Sequence, residues 1–163
     1  MPQMREQFVN RFGGIYEHSP WVAEDAYAAA AEISDAGALA TLFASCVDKA
    51  PLERKLTLIR AHPDLAGKAA IARDLTEESS EEQASAGIDQ CTPEEYAEFQ
   101  TLNQQYKQKF GFPFVMAVRN SNRSDILQAF AKRLDNDTDT EFATAITEIH
   151  KIARMRLEAM DQP

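Results

Sequence analysis

The stretch Arg60-Ala61-His62-Pro63-Asp64-Leu65-Ala66-Gly67-Lys68 is the most informative part of this sequence. A helix is predicted to run into it from Leu52, and Pro63 disfavours the helical conformation for the residue before it, so the helix should break at His62. An imidazole has an ordinary pKa of about 6.5, which suits proton transfer near neutrality. The residues alone leave two interpretations of His62 open: a catalytic group, or a histidine that only caps carbonyls at the helix end.

Helical patterns continue on both sides of this break. Apolar residues at i, i+3, i+4, i+7 and i+8 predict an amphipathic helix that contains Leu39, Leu42, Phe43, Cys46 and Val47. Later segments match the capping box, in which a Ser or Thr is followed three residues on by Glu; these are Ser79–Glu82, Thr92–Glu95 and Thr138–Glu141. The sequence therefore predicts an all-α fold, with a single compact multi-helix domain over residues 1–163.

One segment, Phe112-Pro113-Phe114-Val115-Met116-Ala117-Val118, does not fit a helix. It is apolar and short, and it has a proline near its start. A strand needs partners, and no other stretch of the sequence offers one. We expect one buried extended segment near residues 112–118, whose backbone N–H and C=O groups need water, helix ends or a ligand as partners.

Composition and charge limit the classes of function. The 163 residues, 44% of them hydrophobic, suffice for one globular domain. The net charge of −9 argues against nucleic acid and against an anionic membrane surface as partners. No apolar run reaches the roughly 18 residues of a membrane span, and the segment MPQMREQFVN lacks the apolar core of a signal peptide. The cysteines Cys46 and Cys91 are too few for a disulfide framework, so we expect a cytoplasmic protein.

The histidines give no sign of a metal site. Neither an HxxxH nor an HExxH spacing is present, so we expect no bound metal. His18 precedes the predicted N-cap Ser19, and His150 lies on the predicted last helix beside Ile149. A structural role is expected for His18, and a position at the helix surface is expected for His150.

Three motifs in a fixed order carry a resemblance to a known family. They are His62–Lys68, then Ser79-x-x-Glu82-Gln83-x-x-Ala86-Gly87, then Lys109–Phe114. Together they resemble the 2-oxo-4-hydroxy-4-carboxy-5-ureidoimidazoline (OHCU) decarboxylases of urate breakdown. Weaker matches extend the resemblance over almost the whole chain; these are Glu17–Trp21, Leu102–Tyr106 and Glu148–Leu157.

The resemblance implies an all-helical, cofactor-independent enzyme that converts OHCU to (S)-allantoin and CO2. It implies catalytic roles for His62, Glu82 and Arg156. It also implies a set of substrate-binding residues, which comprises Pro63, Ser79, Ser80, Glu81, Gln83, Phe114, Val115, Met116, Ala117 and Val118. The expected partner is a small anionic heterocycle, without nucleic acid or membrane, and a homodimer is left open.

Two of the implied catalytic residues also have structural interpretations. Glu82 is the glutamate of a predicted capping box with Ser79, so it is either a cap or an acceptor for substrate N–H groups. The apolar stripe of the last helix carries Arg156 toward the core, where it needs either a bound carboxylate or a buried Glu as its partner. We expect Arg156 to line one pocket with His62 and Glu82; if it does not, Lys68 or Arg119 would supply the positive charge.

Two other classes of function compete with this interpretation. A helical protein–protein interaction module would explain the amphipathic helices and the acidic composition, but not the break at His62 or the apolar segment near 112–118. A lyase or hydrolase that acts on a related ureido compound would fit the same residues, because the identity of the substrate comes from the resemblance alone.

Overall fold

The structure, a computed structural model, describes residues 2–30, 33, 35–67 and 75–160. These residues form eight α-helices and one short 3₁₀ turn, and they contain no β-strand. The helices are α1 (Pro2–Phe12), α2 (Trp21–Ala30), α3 (Ala36–Asp48), α4 (Leu52–Arg60), α5 (Glu77–Ser85), α6 (Pro93–Phe110), α7 (Arg123–Arg133) and α8 (Thr138–Ala159), and the 3₁₀ turn is Ile88–Gln90. The predicted all-α fold class is confirmed.

The chain forms two compact units. The first comprises residues 1–61 and 149–163, and the second comprises residues 62–148. Helices α1 to α4 belong to the first unit, helices α5 to α7 belong to the second, and α8 contributes residues to both. The expectation of one domain over 1–163 stays a prediction.

The first unit has aromatic side chains in its core. Helix α1 packs on α2, and α2 packs on α3. The ring centroid of Phe8 lies 4.8 Å from that of Phe12 and 5.4 Å from that of Tyr27, and Phe12 lies 6.0 Å from Phe43. Helix α3 begins after Asp35, whose carboxylate accepts a backbone N–H of the first turn at 2.9 Å. Helix capping and aromatic packing thus agree with the apolar pattern of this part of the sequence.

Tyr106 lies at the centre of the core of the second unit. Its ring centroid lies between 4.5 and 6.0 Å from those of Phe110, Phe112, Phe114 and Phe130. Helix α6, which carries Tyr106, packs on α7. It begins with the predicted capping box and ends at a glycine whose φ of 79° lies in the left-handed region, as expected from the sequence.

Two predicted helix starts are wrong. Helix α5 is capped by Thr76, which accepts the N–H of Ser79 at 3.2 Å, so the helix begins before the predicted Ser79 cap. Its acidic first turn fits the positive end of the helix dipole. Helix α8 is capped by Asp137, which accepts the N–H of Thr140 at 2.7 Å, instead of by Thr138. At α8 the cap is the adjacent Asp137, a stronger N-cap than Thr138, whereas at α5 it is Thr76, three residues before the predicted Ser79.

The expected extended segment is present. Residues 113–118 form neither helix nor strand. Phe112, Phe114, Val115 and Val118 are buried, none of them more than 4% exposed. The prediction of one buried irregular segment near residues 112–118 is confirmed.

Candidate active site

His62 lies on irregular backbone just beyond the end of α4. The helix ends at Arg60 and Ala61 closes its last turn, so the break predicted before Pro63 is confirmed. His62 is 8% exposed and Pro63 is half-buried. The imidazole is therefore largely shielded from bulk water, which is the environment that a proton-transfer group needs.

The loop formed by residues 62–67 is held by the side-chain amide of Gln83 in α5. The Gln83 Oε1 accepts the N–H of Ala66 at 3.2 Å, and its Nε2 donates to the carbonyl of Asp64 at 3.4 Å. A single buried side chain thus binds the loop at a donor and at an acceptor. This contact fixes the backbone that carries His62.

Two further amides hold the same loop from α6. The Asn103 Nδ2 donates to the carbonyl of Leu65 at 2.9 Å, and the Gln100 Nε2 donates to the carbonyl of Ala66 at 2.6 Å. A buried carbonyl without a partner costs about 1–3 kcal/mol, so these bonds define the path of the loop. They were not predicted from the sequence, although Asn103 lies in one of the weaker family motifs.

The loop is closed tightly at its end. The Asp64 carboxylate accepts a charged hydrogen bond from Lys107 at 2.6 Å. A Cβ at Gly67 would lie 2.7 Å from the Cβ of Asp64, so no larger residue fits there. Ala66 has a φ of 53°, an unusual conformation for a residue with a side chain. Lys68, which the sequence also placed beside His62, lies outside the described residues.

Glu82 lies in the second half of α5 and not at its start. Because Thr76 caps the helix, the interpretation of Glu82 as a capping-box residue is wrong. Its side chain is only 10% exposed, and its Oε2 lies 4.0 Å from an Nη of Arg119. Burial of a carboxylate in the middle of a helix is costly, so the absence of a capping role favours a functional one.

Helix α5 separates the substrate-binding residues predicted on it into two groups. Ser79, Glu82 and Gln83 are buried, and their spacing of i, i+3 and i+4 places them on one face. Ser80 and Glu81 are exposed. The buried group includes Gln83, which holds the loop of residues 62–67, so this face of α5 packs against that loop.

A cavity of ≈ 700 Å³ adjoins the same helix within the second unit. Ser80 and Gln83 line it, together with Ala66 from the loop. The described residues that line it do not include His62 or Glu82. Two of the predicted substrate-binding residues therefore border open space, whereas the two predicted proton-transfer and acceptor residues do not border this cavity.

Part of the segment 114–118 is already engaged in protein contacts. The ring of Phe114 stacks on that of Phe130 at a centroid distance of 3.9 Å, and the guanidinium of Arg133 lies 4.4 Å from the Phe114 ring. Arg133 also donates to the carbonyl of Val115 at 2.7 Å. The Phe114 side chain and the Val115 carbonyl thus have structural roles.

The later part of the segment is less constrained. The N–H of Ala117 donates to the Glu148 carboxylate at 3.1 Å, and the carbonyl of Val118 accepts the N–H of Ser121 at 3.0 Å. The backbone N–H and C=O of Met116 have no hydrogen-bond partner among the described residues. The Met116 peptide is therefore one of the backbone groups of this segment that could bind a polar ligand, and substrate contact by 114–118 stays a prediction.

Arg156 lies in the first unit and faces the core, as the apolar stripe predicted. Its side chain is 3% exposed, and its Nη2 lies 3.0 Å from the Glu17 carboxylate, whose side chain is 2% exposed. It also donates to the carbonyls of Gly14 at 3.2 Å and Ile15 at 3.4 Å. Of the two partners considered for Arg156, the buried Glu is present. The expectation that Arg156 shares a pocket with His62 and Glu82 stays a prediction.

A second buried charge network was missed by sequence reasoning. Glu141 is fully buried and accepts hydrogen bonds from Tyr106 at 2.6 Å, Arg133 at 2.8 Å and Asn136 at 2.8 Å. Burial and the bond to Glu141 raise the pKa of Tyr106, which therefore stays protonated and donates. The capping-box pattern had predicted a capping role for Glu141. The only sequence signal for this network is that apolar residues surround a charged one.

The other two histidines differ in exposure, and His150, predicted at the helix surface, is half-buried. His150 lies between the Tyr16 hydroxyl at 2.8 Å and the Asp48 carboxylate at 3.0 Å. His18 is exposed, with a φ of 47°. Within the described ranges, no three His, Cys, Asp or Glu side chains are grouped so as to hold a metal ion.

The described residues also contain no helix that is both long and apolar enough to span a membrane. Cys46 and Cys91 are free thiols, and burial raises the pKa of both. A raised pKa lowers the thiolate fraction near neutrality, so neither thiol has the character of a catalytic nucleophile.

Comparison with known proteins finds relatives that match over nearly the whole chain. The family model described as OHCU decarboxylase matches residues 2–158. The 2-oxo-4-hydroxy-4-carboxy-5-ureidoimidazoline decarboxylase of Halalkalicoccus jeotgali is 43% identical over 98% of this chain and 88% of that protein. The protein of the same name from Haloferax volcanii is 44% identical over 93% of this chain and 88% of that protein.

A solved structure supports the same assignment. The crystal structure of (S)-allantoin synthase superposes with a TM-score of 0.75 and 34% identity over 95% of this chain and 50% of that chain. The matches over nearly the full length of the chain identify an enzyme of the carboxy-lyase class. The chain belongs to the OHCU decarboxylase family.

Proposed function

We propose that this protein decarboxylates OHCU to (S)-allantoin and CO2 in urate degradation, without a cofactor and with His62 as the proton-transfer residue. The observation that carries the proposal is the family match over residues 2–158, which includes the buried His62 loop. Relatives that bear the decarboxylase name cover most of this chain at more than 40% identity.

The reaction sets clear demands on the site. Loss of CO2 breaks a bond at a tetrahedral carbon, and the electron pair left behind moves into the adjacent C=N bond of the ring. The resulting enol-like species is then protonated on one face. A positioned proton carrier, donors and acceptors for the heterocycle, and limited access for water are therefore required. His62 is buried on a loop held by side-chain amides, and it has the chemistry of the proton carrier.

Glu82 and Arg156 complete the proposed catalytic set. Glu82 accepts hydrogen bonds from ring or ureido N–H groups, a role supported by its burial and by its lack of a capping function. Arg156 is proposed to stabilise negative charge on the substrate or the transition state. Because Arg156 is paired with Glu17, the pair as a whole carries little net charge, so hydrogen-bond direction is the larger part of the proposed contribution of Arg156.

The substrate-binding set is proposed to act mainly through backbone groups and the buried face of α5. Ser79 and Gln83 share that face, and the Met116 peptide offers a donor and an acceptor. A cytoplasmic location, supported by the free thiols, and assembly as a homodimer are parts of the same proposal. Light scattering of the purified protein, with a dimer mass expected, tests the subunit number.

The proposal is tested by supplying the substrate as it forms. OHCU is generated from urate with the two preceding enzymes of the route, and its decay and the optical activity of the allantoin are followed by absorbance and circular dichroism. The protein should accelerate the decay and give (S)-allantoin. Decay at the uncatalysed rate, with racemic allantoin as product, would contradict the proposal.

A further inference from the structure

The side chain of Arg119 lies close to that of Glu82 but makes no direct hydrogen bond to it. An Nη of Arg119 lies 4.0 Å from Oε2 of Glu82, which is too long for a direct hydrogen bond. The Nε of Arg119 is buried and has no hydrogen-bond partner among the described residues. A pair that only stabilised the fold would be expected to make these bonds, because an unmet buried donor costs stability.

The backbone around Arg119 is fixed, so the position of the pair is well defined. Arg119 directly follows the segment 112–118 in a turn where the N–H of Ser121 donates to the carbonyl of Val118 at 3.0 Å. Asn120 occupies the left-handed region with a φ of 66°. Helix α7 then begins behind Asn122, whose side chain accepts the N–H of Asp125 at 2.9 Å.

The side chains of Glu82 and Arg119 differ in how far they are exposed to solvent. The Glu82 side chain is 10% exposed, whereas that of Arg119 is 29% exposed. The stem of Arg119 is buried, since its Nε has no contact with solvent, so the exposure belongs to the outer part of the side chain. The pair therefore presents a buried acceptor beside a donor that a small molecule can reach.

We infer that Arg119 is a further substrate-binding residue, which with Glu82 binds the edge of a ureide group that carries an N–H next to a C=O. The N–H of the ligand donates to Glu82, and its C=O accepts from the Arg119 Nη. An N–H/C=O edge matches an acceptor and a donor side by side, whereas a lone carboxylate would be repelled by Glu82. The inference rests on the proposed function, because it assigns Glu82 to the substrate.

The test compares Arg119→Gln and Arg119→Lys with the wild type in two measurements. The first is kcat/KM for freshly generated OHCU, and the second is the Kd of (S)-allantoin by titration calorimetry, which needs no turnover. Allantoin keeps the ureide edges and lacks the carboxylate. Arg119→Gln should lower kcat/KM by roughly 10- to 100-fold and raise the Kd of (S)-allantoin by a similar factor, as expected for the loss of a charged hydrogen bond. Arg119→Lys, which keeps one charged donor, should recover part of both losses.

Arg54→Gln is the matched control, because it removes one arginine charge from an exposed pair with Asp25. It should leave both measurements unchanged. If Arg119→Gln is folded and both values stay within about twofold of the wild type, or if kcat/KM falls while the affinity for allantoin does not, the ureide assignment is overturned. A wild type that binds allantoin through Arg119 but does not decarboxylate OHCU would contradict the proposed function and leave this inference standing.

Discussion

The buried charged side chains of this protein differ in how they are bonded. Arg156 and Glu17 are paired in the first unit, and Glu141 is enclosed by three donors in the second. Glu82 is buried as well, and an Nη of Arg119 lies 4.0 Å from its carboxylate. Fully bonded buried pairs are costly to disrupt, whereas Glu82 is proposed to bind the substrate. The different surroundings predict different effects of mutation at Arg156 and at Glu82.

Replacement of Arg156 by Lys keeps the charge and removes the planar set of donors. The lysine cannot bind Glu17, Gly14 and Ile15 together, so about 1–3 kcal/mol of stability should be lost, as expected for unmet buried groups. Denaturant unfolding measures that loss. We also expect kcat/KM to fall, and kcat, measured at saturating substrate, to fall as well. Arg154→Lys, on the exposed side of the same helix, is the control. Equal kcat/KM for the two variants would remove Arg156 from the catalytic set.

Replacement of Glu82 by Gln keeps the size of the side chain and removes its charge. Since Glu82 does not cap α5, the melting temperature should change little, while kcat/KM should fall by on the order of 10²-fold through loss of a charged acceptor. The measurement is steady-state turnover beside thermal unfolding. Glu77→Gln, exposed on the same helix, makes the same change of charge and should retain activity. A melting temperature that drops while turnover is preserved would show that Glu82 is structural.

At the scale of elements, the decisive feature is the loop of residues 62–67 and its support by α5 and α6. The sequence predicts where this loop begins, because Pro63 acts on the residue before it. It does not predict which residues hold the loop, because Gln83, Gln100 and Asn103 act through backbone groups far away in sequence. The sequence pattern also misplaced the starts of α5 and α8, because Thr76 and Asp137, shortly before the predicted caps, can accept a helical N–H as well.

Removal of one of these amides tests the supporting role of α6. Asn103→Ala leaves the buried carbonyl of Leu65 without its partner, which should cost about 1–3 kcal/mol in stability. It should also lower kcat, because His62 loses part of its positioning. Gln104→Ala, exposed one residue further along α6, is the control and should behave as the wild type. Unchanged kcat in a destabilised Asn103→Ala protein would separate the loop contact from catalysis.

At the scale of the whole molecule, composition indicates what the protein does not bind more clearly than what it does. The net charge of −9 opposes nucleic acid and any anionic ligand. An anionic substrate therefore depends on locally placed donors, for which Arg119 and Arg156 are the candidates. The order of the three motifs identified the family because the motifs cover the loop of residues 62–67, helix α5 and the segment near 112–118. Composition and helical periodicity alone reach only the fold class.

A requirement for metal is tested on the whole protein. Because no suitable ligand group occurs within the described residues, full activity should remain after exhaustive treatment with a chelator and gel filtration. Turnover before and after treatment is the measurement. Activity that disappears and returns with Zn²⁺ or Mn²⁺ would show that the proposed cofactor-independent reaction is wrong.

Proton transfer by His62 is tested by comparing His62→Asn with the wild type in the formation of optically active allantoin. The variant should fold, and its rate should be lower by on the order of 10²–10⁴-fold, the usual contribution of a general acid–base group. His18→Asn is the matched control, since His18 is exposed and its left-handed conformation suits asparagine. A folded His62→Asn protein that forms (S)-allantoin as fast as this control would contradict the assignment of proton transfer to His62.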